Sequence, residues 1–113
     1  MVMRTDNYIK ACMRTWLFCE SCLHSETEAP NPREDLIREC KECAHSGVAV
    51  VSRLISTNAG IDRLAFSCML HCRKCQEKCE EYGDVEDIQT CAEICGLCAE
   101  VVKDLAFPSI ILN

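Results

Sequence analysis

Cysteine is the residue type in this chain that could do chemistry. Cys12, Cys19, Cys22, Cys40, Cys43, Cys68, Cys72, Cys75, Cys79, Cys91, Cys95 and Cys98 are twelve of 113 residues. Their thiolates are candidate nucleophiles and soft metal ligands. Cys68, Cys72, Cys75 and Cys79 follow at steps of four, three and four, and Cys91, Cys95 and Cys98 repeat the steps of four and three. At about 100° per residue the first set falls within an arc of about 60° on a helix. Helical neighbours three or four apart have Cβ atoms about 5–6 Å apart, near enough for two sulfurs to grip one ion. A ladder of such pairs is a series of two-sulfur sites with further partners across a core. Cu(I) leads the candidates, because it is soft and accepts low coordination by sulfur alone. The thiols can stay protonated and neutral until loading, when protons leave and the ion offsets each thiolate. Many equivalent sites without an open catalytic position favour storage or buffering over catalysis.

Other chemistries fit the same residues less well. Cys19-x2-Cys22, Cys40-x2-Cys43, Cys72-x2-Cys75 and Cys95-x2-Cys98 would be a strong zinc signal in loops. They lack the turn residues of structural zinc sites, so zinc stands as the rival ion through thiolates from neighbouring helices. The two Cys-x3-Cys-x2-Cys runs match an iron–sulfur motif whose host barrel is far larger than this chain, and the ferredoxin run with its proline is absent. A thiol redox sensor, with a cross-helix bond such as Cys22 to Cys40, is a further alternative, as is an oligomerising scaffold without a metal store. Buried cysteine can also act as a small hydrophobe, but a ladder of four facing one of three exceeds what packing asks for.

The remaining candidates are weaker. His45 falls more than a right angle from Cys40 and Cys43 and reads as a surface residue. His71 borders the cysteine stripe and His24 ends the first segment, both more simply solvated than ligating. Met13 and Met69 lie about 100° from Cys12 and Cys68 and read as packing residues. No glycine loop for phosphate and no carboxylate pair stands out, so no enzyme activity is expected.

The elements that must position these sulfurs are helices. Breakers at Glu28–Pro32, Asn58–Gly60, Tyr82–Asp84 and Pro108 leave segments near 4–24, 33–58, 61–82 and 85–107. Pro32 is expected to open the second, Gly60 to end it, and Asp84 to cap the fourth. The second segment carries Leu36, Cys40, Cys43, Val50 and Leu54 on one stripe with Gly47 between. The first carries Ile9, Cys12, Trp16, Cys19 and Cys22. Short connections predict an all-α, antiparallel up-down-up-down four-helix bundle with a cysteine-lined core, one domain over 1–113 with an apolar tail at 107–113 that packs on the bundle or a neighbour. In that topology the cysteines gather toward one end. Ile9, Val50, Val51, Leu54, Ile55, Leu64, Val102 and Leu105 fill the other.

Composition narrows the class. A formal net charge of -6 disfavours nucleic acid as a partner. Cys43–Ser52, the longest stretch free of formal charge, is too short to span a membrane. Cysteine at this density suggests a secreted disulfide scaffold, but the start of the chain lacks a basic-then-apolar signal region and turn residues are few. A reduced, cytoplasmic metal binder is the better expectation.

The stretch from Cys68 to Cys98, with its repeated Cys-x3-Cys and Cys-x2-Cys pairs, its short turn and the phrase Cys91-Ala92-Glu93-Ile94-Cys95-Gly96-Leu97-Cys98, resembles the cysteine-rich four-helix-bundle copper storage proteins, particularly their cytosolic bacterial branch. The resemblance implies Cu(I) held along the bundle interior by thiolates, here all twelve cysteines by stripe position, and assembly as a homotetramer. Cytosolic members look richer in cysteine, with histidine near the turn where this chain has Tyr82. The departure predicts a smaller, one-ended store.

Overall fold

The computed structural model describes residues 2–83 and 85–108, with side chains from Thr5 onward. Four helices run in order: α1 (Val2–Glu28), α2 (Glu34–Ser56), α3 (Ile61–Glu81) and α4 (Glu86–Ala106). Each packs on its chain neighbour and α4 closes on α1, which is the up-down-up-down bundle. The described residues contain no strand, and Val48–Val51 lies within α2. Its apolar stripe, not its β-branched content, decides its state.

The helix ends follow local electrostatics more than caps. Glu34 and Asp35, Asp62, and Glu86 and Asp87 occupy first turns, while Arg53, Lys78 and Lys103 occupy last turns. Both signs complement the helix dipole. Four boundary expectations change. The first helix runs on to Glu28, since Ser25–Glu28 contains no breaker and Thr27 bonds back to the Leu23 carbonyl (2.7 Å). Pro32 lies outside α2, because Arg33 is the extended N-cap residue (φ -92°) and bends back to Glu26. Asn58 (φ 62°), not Gly60, takes the left-handed position after α2, a conformation its short amide tolerates, while Gly60 (φ 69°) opens α3. Val85 precedes α4 as its N-cap without a side-chain cap bond. The expected cap, Asp84, lies outside the described residues.

The core is a set of four registers at alternating steps of three and four. α1 buries Tyr8, Cys12, Thr15, Cys19, Cys22 and Glu26, and α2 buries Leu36, Cys40, Cys43, Gly47 and Val50. α3 buries Ala65, Cys68, Cys72, Cys75 and Cys79, and α4 buries Ile88, Cys91, Cys95, Cys98 and Val102. The α1 stripe is therefore turned by about one residue from the expected one. Tyr8 and Thr15 face inward, while Ile9 and Trp16 are half-buried. Gly47 allows the close approach of α1 and α2, because a Cβ there would stand 3.2 Å from the Cys12 carbonyl oxygen.

The sulfur is confined to one part of the bundle. Beyond it Val50 and Val102 are fully buried, with Val51, Leu54, Leu64 and Leu105 packed beside them. Ile55 corrects the expected list, being 71% exposed on the outer face of α2. At the start of the tail Phe107 stands edge-on to Phe66, ring centres 5.6 Å apart. Ser109–Asn113 lie outside the described residues.

Candidate metal centre

All twelve cysteines are buried free thiols. The helical registers bring them into three groups whose sulfurs lie within 4.8 Å of one another: Cys22, Cys40, Cys79 and Cys91; Cys19, Cys75, Cys91 and Cys95; and Cys12, Cys68 and Cys98. Cys91 belongs to two groups. Cys43 and Cys72, 3.6 Å apart, link them: Cys43 stands 3.8 Å from Cys95, and Cys72 stands 3.9 Å from Cys68. Cys19 is a hub, 3.9 Å from Cys75, 3.9 Å from Cys91 and 3.7 Å from Cys95. Cys75 stands 3.9 Å from Cys40 and 4.0 Å from Cys79. Every sulfur named at the outset thus reaches this interior, and the pairs at i, i+4 face one another as helix geometry requires.

The thiols regulate one another's protons. Hydrogen bonding with Cys19, then Cys72, pulls Cys43 down to about 7. Cys12, Cys19, Cys72 and Cys79 are pushed up, by hydrogen bonding to neighbouring thiols first and by burial after it. A few sulfurs can ionise because neighbours donate to them, and those neighbours must then keep their protons. A second or third negative charge in the same dry space is opposed unless a cation arrives.

The two sulfurs with any exposure both border cavities. Cys22 (4% exposed) lines a cavity of about 190 Å³ with Glu26, Arg33, Val85, Asp87 and Ile88. Cys98 (1%) lines a groove of about 610 Å³ between α1 and α4. Over the Cys22 end lies a polar network. The buried Glu26 carboxylate accepts from the Arg33 backbone N–H (2.8 Å), Nε (2.9 Å) and Nη2 (3.1 Å). That guanidinium lies 4.6 Å from the Tyr82 ring centre. Tyr82 donates its hydroxyl to Asp35 (3.0 Å), which also pairs with Lys78 (3.3 Å). The Arg33 hydrogen bonds hold Glu26 below the ordinary 4.5.

None of the three histidines joins a sulfur group. His24 and His45 are exposed, and His71 turns toward Glu42, 3.7 Å away. Met13 is exposed and Met69 packs against the core from its edge. The sequence alone does not single out Thr15 and reads Glu26 as solvated helix-end charge, yet both are buried. Both fall on the three-four register that runs through Cys12, Cys19 and Cys22, which was the signal that could have found them.

A buried column of free thiols arranged in groups of three and four offers a donor set suited to a soft metal. A family model described as copper storage protein matches residues 1–106. The chain belongs to the copper storage protein family. No curated protein and no solved structure matches it. Family membership agrees with the resemblance carried by Cys68–Cys98, and a storage family is not a catalytic one. Among the described residues no helix is long and apolar enough to cross a membrane.

Proposed function

We propose that this chain is one bundle domain that binds Cu(I) through Cys12, Cys19, Cys22, Cys40, Cys43, Cys68, Cys72, Cys75, Cys79, Cys91, Cys95 and Cys98, and so stores or buffers copper. The observation that carries this reading is the convergence of twelve buried free thiols on one stretch of the core. Charge supports it. A monovalent ion held by two unshared thiolates leaves one surplus negative charge, whereas sharing sulfurs between ions brings the cluster toward neutrality, and Cys91 is already common to two groups. The burial cost that keeps the apo thiols protonated is thereby offset by the incoming copper. A reducing, cytoplasmic setting would keep so dense a set of thiols free to take up metal. Leu17 and Leu97, each more than half exposed, supply apolar surface for the homotetramer that the resemblance implies.

Anaerobic titration of the reduced protein with Cu(I), against a competing chelator and followed by mass determination, tests the proposal. Uptake of several tightly held ions per chain is the expected result. Retention of no more than one or two, or ready loss to a weak chelator, would end the storage reading. One observation favours a second ion. Each four-sulfur group has the ligand number of a zinc tetrahedron, with Zn–S bonds of about 2.3 Å. Competition between the two metals decides this: copper displacing bound zinc upholds the first reading, and zinc retention upholds the second.

A further inference from the structure

Thr15 interrupts the sulfur ladder of α1 at a core position. Cysteine occupies the register at 12, 19 and 22, and Thr15 stands between them, fully buried. Its Oγ1 has no hydrogen-bond partner among the described residues. Other hydroxyls in these helices avoid that condition by bonding back to their own backbone: Thr27 to Leu23 (2.7 Å), Ser46 to Cys43 (2.7 Å) and Ser56 to Ser52 (2.9 Å). Thr15 makes no such bond. An idle buried hydroxyl opposes folding, and valine would fill the same space without that cost. Thr15 follows Cys12 by three residues on the buried face of α1, and Cys12, Cys68 and Cys98 form the three-sulfur group nearest the aliphatic end, with the Thr15 hydroxyl near enough to act on the Cys98 thiol.

That group has fewer thiol neighbours than the larger ones. Cys19 and Cys75 are each ringed by several thiols, so an ionised sulfur there keeps S–H donors around it. The three-sulfur group touches the rest through Cys72, 3.9 Å from Cys68. On the α2 side of this level stands Gly47, which brings no side chain to the Cys12 backbone it faces. Three thiolates on one Cu(I) would leave two surplus negative charges in a dry space. Beside the Cys72 thiol, the Thr15 hydroxyl is the further donor at this level.

We propose that Thr15 is a positioning residue of this group, donating its hydroxyl proton to the Cys98 thiolate once copper is bound, a bond the unloaded protein does not make. The proposal rests on the copper reading, and it predicts effects of opposite sign in the two states. In Thr15→Val the apo protein should melt at the same or a higher temperature. Under anaerobic competition with a bidentate Cu(I) chelator, the ion of the three-sulfur group should be held about ten- to a hundredfold less tightly, the range for a hydrogen bond to a charged group. Thr15→Ser should restore retention to within about threefold. In a Cys98→Ala background Thr15→Val should add nothing.

Unchanged copper retention in Thr15→Val would overturn the proposal while leaving the storage reading intact. Parallel losses of melting temperature and retention, without rescue by Thr15→Ser, would overturn it in favour of a packing role. Wild-type protein that holds no more than one or two ions would overturn the storage reading and this proposal together.

Discussion

The two ends of the bundle solve the same packing problem with different atoms. At one end Val50, Val102, Leu54, Leu64 and Leu105 fill the space between helices. At the other the same registers carry Cys22, Cys40, Cys79 and Cys91, then Cys19, Cys75 and Cys95. Hydrocarbon contributes stability by leaving water, at about 25 cal/mol per Å². Thiols contribute less to packing, but they can exchange protons for a soft cation, which hydrocarbon cannot. One backbone architecture thus divides into a part that holds the fold and a part that holds cargo. The boundary falls beyond Cys12, Cys68 and Cys98, where Val50 and Val102 replace sulfur.

That division can be broken most forcefully by loading. Copper that binds the folded chain alone should stabilise it by about 4 kcal/mol when free ion exceeds its Kd a thousandfold. Melting followed by circular dichroism, with and without Cu(I), should show a large rise in the wild type. No rise would mean that the sulfur half does not hold the ion in the folded state. Next in size, Val102→Ala opens a cavity in the hydrocarbon half and should cost about 1–3 kcal/mol in denaturant unfolding. The copper count should stay unchanged, and a reduced count would show that the two halves are not separable.

Glu26 tests the polar network that caps the sulfur end. Its carboxyl is lowered first by the Arg33 side-chain hydrogen bonds, so its contribution is present above the ordinary carboxylate range and is lost as pH falls through the lowered value. Glu26→Gln should cost about 1–2 kcal/mol near neutral pH, and the gap to wild type should close as acidification passes through the lowered value. A gap that persists in acid would assign the effect to packing. The smallest effect belongs to the surface histidines. His24→Ala with His45→Ala should move stability by less than about 0.5 kcal/mol and leave the copper count alone, and a lost ion in that variant would place a ligand outside the sulfur column.

Much of this organisation was legible in the residues. The steps of four and three through Cys68–Cys79 and Cys91–Cys98 specify helix, a buried face and facing ladders at once. Chain order then places the ladders at one end. What was not legible has local causes. The α1 stripe turned by a residue because Trp16 and Thr15 compete for the interior, and hydrophobicity favours the wrong one. Thr15 is fully buried, while Trp16 packs half-buried against the edge of the core. Asn58 takes the turn position expected of Gly60, its backbone N–H bonded to the Arg53 carbonyl (3.0 Å), while Gly60, also at positive φ, opens α3. Glu26 reads as solvated helix-end charge until Arg33 folds back on it, a contact made by the loop rather than by any periodicity.

The most direct test of the central claim is anomalous scattering at the copper edge from crystals of the Cu(I)-loaded protein. The account predicts several copper peaks on the bundle axis, between the level of Leu36 and Ile88 and that of Val50 and Val102, each bonded to cysteine sulfur. Copper at His24 or His45, or an interior without copper beside intact thiols, would contradict it.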